Sequence, residues 1–132
     1  MIIAVDDRTA SAWIEVLNGA TRTVVLFGRH AYKVPSLRYG WRPFLRGLLA
    51  NDIEREWWRS GCNEGLCPIL FALPLGFLVV MPRCEPVTDL TDDIYESFVN
   101  RDGYMLPVEN KEDSFGWLGE NPGRLVAIDY GN

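Results

Sequence analysis

Two stretches decide the fold: AYKV at Ala31–Val34 and LVAIDYG at Leu125–Gly131. Each is a short apolar run that carries one charged side chain at a defined position, Lys33 in the first and Asp129 in the second. Short apolar runs rich in β-branched and aromatic residues predict strands. We therefore expect two strands that each carry one charged side chain.

The main helix is predicted between these stretches, over Pro43–Ser60. Pro43 stands near its start, where a missing N–H is harmless, and Gly61 follows its end. An apolar stripe recurs at helical spacing, and such a stripe is expected to be the packed face. It consists of Phe44, Leu45, Leu48, Leu49, Ile53 and Trp57. The other face carries the acidic side chains Glu54 and Glu56.

The rest of the chain alternates short apolar runs with turn signals. This pattern predicts an α+β domain: an antiparallel sheet of about five strands with one main helix, plus a small β-hairpin and a short helix. The predicted strands are Thr23–Phe27, Ala31–Val34, Leu66–Phe71, Gly76–Val80, Tyr104–Val108, Ser114–Leu118 and Arg124–Ile128. Thr9–Leu17 is predicted to be a short helix or strand, Thr88–Asn100 to contain the short helix, and 121–123 to be a turn.

Bulk composition describes one domain with an acidic C-terminal third. The chain has 132 residues, of which 48% are hydrophobic, and this is enough for one core. The net charge is −5, with ten Lys/Arg against seven Asp/Glu in residues 1–83 and three against eleven in residues 84–132. An acidic balance of this kind disfavours nucleic acid and favours basic protein surfaces.

Cysteine usage and hydropathy favour a reduced, cytoplasmic protein. There are three cysteines, an odd number, and the start of the chain does not have the pattern of a secretion signal. The longest apolar stretch, Pro68–Met81, is shorter than the roughly 20 residues that a membrane helix needs. Because the chain has only one histidine and its cysteines are widely spaced, a zinc site is not expected.

The order of these segments resembles that of a protein-kinase-like domain, in the reduced form found in small phage and bacterial proteins. In kinases a strand lysine and a later aspartate hold the nucleotide phosphates and their magnesium, and a helix glutamate pairs with the lysine. The resemblance implies these roles for Lys33, Asp129 and Glu54, with Glu56 as the second choice of glutamate. It also aligns Met81–Pro86 with the hinge that lines an adenine pocket.

The chain departs from the kinase pattern at the residues that perform catalysis. Glu109 stands where the base aspartate belongs, and Ser114 stands where a metal-binding asparagine belongs. Glu is longer by one methylene, and Ser lacks the carbonyl oxygen of Asn, so both are expected to position their ligands poorly. Only Gly19 remains of the glycine-rich loop. The resemblance spans residues 17–132 and only the first half of a kinase, so the helical C-lobe is expected to be missing.

These features favour a degenerate, pseudokinase-like domain that binds proteins without catalysis. Residues 17–86 would be its N-lobe-like part, and residues 87–132 an acidic remnant of the catalytic loop. One concrete version is a phage or mobile-element inhibitor of a host defence protein, such as an anti-CRISPR, in the host cytoplasm. No cofactor or metal is then expected, and the cluster would be a structural salt bridge of Lys33 with Glu54 or Asp129.

The alternative is a minimal phosphotransferase that binds ATP and magnesium. It would use Lys33, Glu54 and Asp129 for the nucleotide, Glu109 as the base, and Asp129 with Ser114 for the metal.

The expected partner is a protein with a basic surface, rather than nucleic acid or a membrane. Its predicted contacts are Asp89, Asp92, Asp93 and Glu96, with Trp58 and Trp117 as aromatic anchors. Trp41 is a third aromatic residue that we expect to be exposed. A homodimer is an open alternative, because a missing lobe would leave apolar surface uncovered.

Overall fold

The computed structural model describes residues 2–4, 13–119 and 123–131. Its strands are β1 (Ile2–Ala4), β2 (Trp13–Asn18), β3 (Arg22–Phe27), β4 (His30–Pro35), β5 (Phe71–Ala72), β6 (Val79–Pro82), β7 (Glu85–Pro86), β8 (Asn100–Arg101), β9 (Tyr104–Met105), β10 (Phe115–Leu118) and β11 (Arg124–Ala127). Its α-helices are α1 (Trp41–Arg59) and α2 (Asp92–Val99). Residues 9–12 of the predicted first element and residues 121–122 of the predicted turn lie outside the described part of the chain.

The main sheet confirms the predicted α+β class. Five strands from Trp13 onward pair antiparallel, and β1 adds a sixth strand at the edge, in the order β1-β2-β3-β4-β6-β5. The β3–β4 hairpin turns at Gly28, whose φ of 58° suits glycine. In the sheet register Lys33 lies between Val24 on β3 and Val79 on β6, so the lysine is on a central strand.

The second half of the chain forms smaller elements against the main sheet. A three-stranded sheet has the order β11-β10-β7, and β8 with β9 forms the small hairpin. Helix α2 begins where Thr91-Asp92-Asp93 predicts it, because the Thr91 hydroxyl accepts a hydrogen bond from the Ile94 N–H. The predicted short helix and hairpin are therefore present.

Helix α1 lies where the sequence predicts it, but the predicted apolar stripe is only partly its packed face. Phe44, Leu48, Ile53 and Trp57 of the stripe are half-buried, whereas Leu45 and Leu49 are exposed. The most buried residues of the helix are Gly47, Ala50, Asn51 and Glu54. The reason is close backbone approach. A side chain at Gly47 would collide with the Thr21 carbonyl and Pro35 of the sheet, so only glycine fits at this position.

Two predicted strands around residues 66–80 are also corrected. Leu66 makes only an isolated bridge to Ala127, and the strand there is limited to Phe71–Ala72. Gly76 lies in a short 3-10 turn (Pro74–Gly76), so the following strand begins later, at Val79. A backbone φ of 82° at Gly76 is incompatible with a strand.

The core lies between the main sheet and the smaller sheet rather than under the apolar row of α1. Its largest buried apolar side chains come from several segments of the chain: Leu66, Met81, Leu106, Phe115, Val126 and Tyr130. Helix α1 contributes Trp57 and Trp58 to the edge of this cluster, and it also contacts the sheet through the polar side chains described below.

Candidate functional site: a buried charge cluster

The strand lysine and the helix glutamate form a buried ion pair. Lys33 on β4 places its Nζ 3.0 Å from Glu54 Oε1 and 3.2 Å from Oε2 on α1. Lys33 is 5% exposed and Glu54 is 0% exposed. The pair thus occupies the interior between helix and sheet, and both carboxylate oxygens of Glu54 face the ammonium group.

A second cation, Arg22 at the start of β3, completes the cluster. Its Nη1 donates to Glu54 Oε1 at 2.8 Å, and its Nη2 donates to Asp129 Oδ1 at 2.7 Å. Lys33, Glu54 and Asp129 are therefore brought together, but the arginine connects the two carboxylates. The sequence interpretation did not identify Arg22, since nothing in its neighbourhood distinguishes it from a surface arginine.

Asn51 joins the cluster to the backbone. Its Oδ1 accepts from Arg22 Nη1 at 3.0 Å, and its Nδ2 donates to the Lys33 carbonyl at 3.0 Å and the Gly76 carbonyl at 2.9 Å. One turn of α1 thus holds the arginine, β4 and the 3-10 turn at once. Asn51 stands one helical turn before Glu54, a spacing that puts both side chains on the same face of the helix.

The Asp-Tyr-Gly segment closes the cluster from the third side. Lys33 Nζ also donates to the Ile128 carbonyl, and the Tyr130 N–H donates to Glu54 Oε2 at 3.0 Å. The Tyr130 hydroxyl donates to the Cys67 carbonyl at 2.8 Å in the core. At Gly131 the backbone lies so close to the Ala50 carbonyl that an added Cβ would collide with it.

Electrostatics favour the ionised form of the glutamate. Burial alone would raise the pKa of Glu54, but Lys33 and Arg22 outweigh burial, so its pKa lies below the usual range. Burial lowers the pKa of Lys33, and Glu54 offsets this only in part because Arg22 adds a like charge. The two pKa directions are consistent. Glu54 faces two cations, which lower its pKa, whereas Lys33 shares this carboxylate with Arg22, so Glu54 raises the pKa of Lys33 by less than burial lowers it.

The two residues predicted as the base and as a metal ligand, Glu109 and Ser114, have different surroundings. Glu109 is exposed, and its Oε2 lies 2.7 Å from Lys111 Nζ. Ser114 is buried, and its carbonyl accepts from the Asp129 N–H at 3.3 Å, so this part of the chain does lie beside the aspartate. Asp129 itself is 40% exposed.

The stretch predicted to be the hinge is engaged in other contacts. Met81 is buried in the core, and Glu85 and Pro86 form β7, which pairs with Trp117 and Gly116 of β10. An adenine would need free backbone groups on this edge, and β10 occupies the edge at residues 85–86.

The predicted acidic protein-binding residues lie on α2 or just before it. Asp89, Asp92, Asp93 and Glu96 are all exposed. Asp92 accepts from Asn110 at 3.0 Å, and Glu96 accepts from Asn100 at 3.4 Å. Trp58 and Trp117 are half-buried and pack against the core rather than standing exposed, whereas Trp41 is exposed.

Comparison with known proteins gives no family model, no curated protein and no solved structure that matches the chain. Over residues 2–4, 13–119 and 123–131, the acidic, cysteine and histidine side chains do not form a group of three or more that could hold a metal ion. In the same part of the chain, no helix is both long and apolar enough to cross a membrane. The candidate function consequently rests on the contacts described above.

Proposed function

We propose that the protein is a non-catalytic, regulatory protein-binding domain built on a degenerate kinase-like fold. The observation that carries this proposal is the Arg22 bridge between Glu54 and Asp129. In a kinase, the corresponding aspartate binds magnesium and the lysine binds phosphate oxygens. Here a guanidinium group of the chain itself binds the aspartate.

The charge balance of the cluster supports this interpretation. Two cations, Lys33 and Arg22, face two carboxylates, Glu54 and Asp129. Magnesium requires an excess of negative charge and oxygen ligands, while nucleotide phosphates require an excess of positive charge. A neutral cluster whose buried groups already bind one another offers neither, and its evident role is to fasten α1 and the C-terminal segment to the sheet.

The acidic face of α2 supports binding to a basic protein surface. Asp93 lines a surface depression together with Ile94, Phe98 and Leu125. Ile94 is exposed among acidic residues, a combination that suits an apolar contact surrounded by ion pairs. We propose that this face binds the partner, and that a host defence protein, as in an anti-CRISPR, is the most concrete version for an acidic chain of 132 residues.

A matched pair of charge-reversal variants tests this proposal. Asp93→Lys with Glu96→Lys alters the α2 face, and Glu85→Lys with Asp102→Lys makes the same change in charge at exposed positions outside both helices. Phage plaques are counted on cells with an active CRISPR defence that express each variant. Wild type and the control variant should restore plaques, while the α2 variant should not, with equal circular dichroism for all three. Equal protection by both variants, or transfer of γ-phosphate from ATP by the wild type, would contradict the proposal.

A further inference from the structure

Helix α1 presents a row of large apolar side chains to solvent. Trp41, Leu45 and Leu49 follow one another at intervals of four residues, which places them on one face of the helix. They are 67%, 56% and 58% exposed, respectively. In most helices of a folded domain such a row faces the core, so its exposure over two turns calls for an explanation.

The 3-10 turn (Pro74–Gly76) extends this surface. Gly76 packs directly against the backbone of Leu48, and its chain neighbours Leu75 and Phe77 are both exposed. Because neighbouring Cα atoms are about 3.8 Å apart, both residues lie near the middle of α1. The name α1 apolar face is used below for the surface made by Trp41, Leu45, Leu49, Leu75 and Phe77.

Leu75 adds an independent observation, because its backbone is strained. Its φ is 66° and its ψ is 9°, a left-handed conformation that leucine rarely adopts. The strained residue is also 71% exposed, so the fold gains no core packing from it. Strain that holds an apolar side chain in solvent is typical of a contact site.

The charge beside the first half of this face is basic, in contrast with the net charge of −5. Residues 16–51 contain six Lys or Arg and neither Asp nor Glu, and Arg38, Arg42 and Arg46 are exposed. Asp52 and Glu56 follow Leu49 on the same side of the helix. A segment with carboxylates along its length would meet the arginines alone, whereas a second copy would bring its own arginines to the contact together with Asp52 and Glu56.

We propose that the α1 apolar face is a docking surface for a protein segment that presents large apolar side chains flanked by carboxylates. The apolar row would provide the buried contact, and Arg38, Arg42 and Arg46 would pair with the flanking acids. This surface is distinct from the acidic α2 face and selects a partner of opposite charge. The protein would then hold a basic surface on one side and an acidic one on the other.

Two amphipathic helical peptides of about 18 residues serve as probes, long enough to form a helix on binding. Each carries leucines on one face, flanked by Glu in one peptide and by Lys in the other, and binding is followed by fluorescence anisotropy. The Leu/Glu peptide should bind at least about tenfold more tightly than the Leu/Lys peptide. Equal affinities, or no saturable binding of the Leu/Glu peptide, would overturn the proposal.

Variants of the protein locate the binding site. Leu45→Gln with Leu49→Gln should weaken the Leu/Glu peptide by about tenfold or more. Arg42→Gln with Arg46→Gln should weaken binding of the Leu/Glu peptide and reduce the salt dependence of that binding. The control, Arg55→Gln with Arg59→Gln, makes an equal change in charge near the far end of α1 and should leave binding unchanged. Unchanged affinity in the leucine variant would overturn the proposal.

Leu75→Gly and light scattering complete the test. Leu75→Gly should raise the thermal midpoint, because glycine relieves the strained φ. The same variant should bind the Leu/Glu peptide more weakly. Tighter or unchanged binding would count against a contact at Leu75. Light scattering should give a monomer for the wild-type protein. A dimer that Leu45→Gln dissociates would identify a second copy as the occupant and overturn the proposal.

Discussion

The two faces of helix α1 differ in composition and in burial. The inward face is small and polar, with Gly47, Asn51 and Glu54 buried against the sheet. The outward face carries Trp41, Leu45 and Leu49, which are exposed. The difference teaches that hydrogen bonds and ion pairs help to attach this helix to the sheet, while part of its hydrophobic surface stays exposed.

The largest expected effect is on the inward face, at Glu54. Glu54→Ala leaves Lys33 and Arg22 without their shared carboxylate in a buried site, and loss of one partner of a buried ion pair costs about 3–5 kcal/mol. Urea unfolding followed by circular dichroism measures the change. Glu56→Ala, on the exposed side of the same helix, should change stability by less than about 0.5 kcal/mol. Similar losses of stability for the two variants would contradict the distinction between the inward and outward faces of α1.

The contact between the 3-10 turn and the helix should give the next largest effect. Gly76→Ala forces a Cβ into the Leu48 carbonyl at a φ of 82°, and strain plus overpacking should cost about 3 kcal/mol. Gly103 is the matched control, since its φ is 84° and an added Cβ meets nothing within 4 Å. Gly103→Ala should therefore cost only the conformational part, about 1 kcal/mol. Equal costs would show that the two elements can separate without loss.

Lowering the pH should destabilise the fold through Glu54 on the inward face of α1. The pKa of Glu54 in the folded protein lies below its ordinary value of 4.5, so unfolded chains bind the proton first as the pH falls. The stability from this group is therefore complete above about pH 4.5 and is lost as the pH falls through the folded pKa. Urea midpoints measured from pH 7 to pH 3 should fall less steeply for Glu54→Gln than for Glu56→Gln. Parallel curves would contradict the assignment.

The smallest effect is expected on the outward face. Leu45→Gln with Leu49→Gln removes exposed side chains that pack on little of the fold, so stability should change by no more than about 0.5 kcal/mol per site. Met81→Ala is the contrasting core variant, with an expected loss of about 2–5 kcal/mol. If the leucine variant unfolded as easily as Met81→Ala, the outward face would be part of the core.

The sequence was sufficient for several of the elements and for part of the cluster. The β3–β4 hairpin, the extent of α1 and the start of α2 at Thr91 follow from local signals such as turns, caps and periodicity. Lys33 and Glu54, which the resemblance to kinases pairs, are in contact in the structure. The roles that the resemblance implies for them stay a prediction.

Long-range contacts account for what the sequence did not reveal. Arg22 reaches partners 32 and 107 positions away, and no local pattern encodes such a connection. The burial of Gly47 and Glu54, in place of Leu45 and Leu49, has the same origin. Hydrophobic periodicity marks which side chains are apolar, but the close approach at Gly47 and Gly76 decides which side fits against the sheet.

Calorimetric titration of ATP with magnesium tests the central claim most directly. Wild-type protein, Lys33→Ala and Asp129→Asn are compared, the last because its partly exposed site should tolerate substitution in a folded chain. Since the cluster is neutral and bound to itself, no saturable heat is expected for any of the three up to millimolar nucleotide. Saturable binding to the wild type that both substitutions abolish would contradict the account and establish the cluster as a nucleotide site.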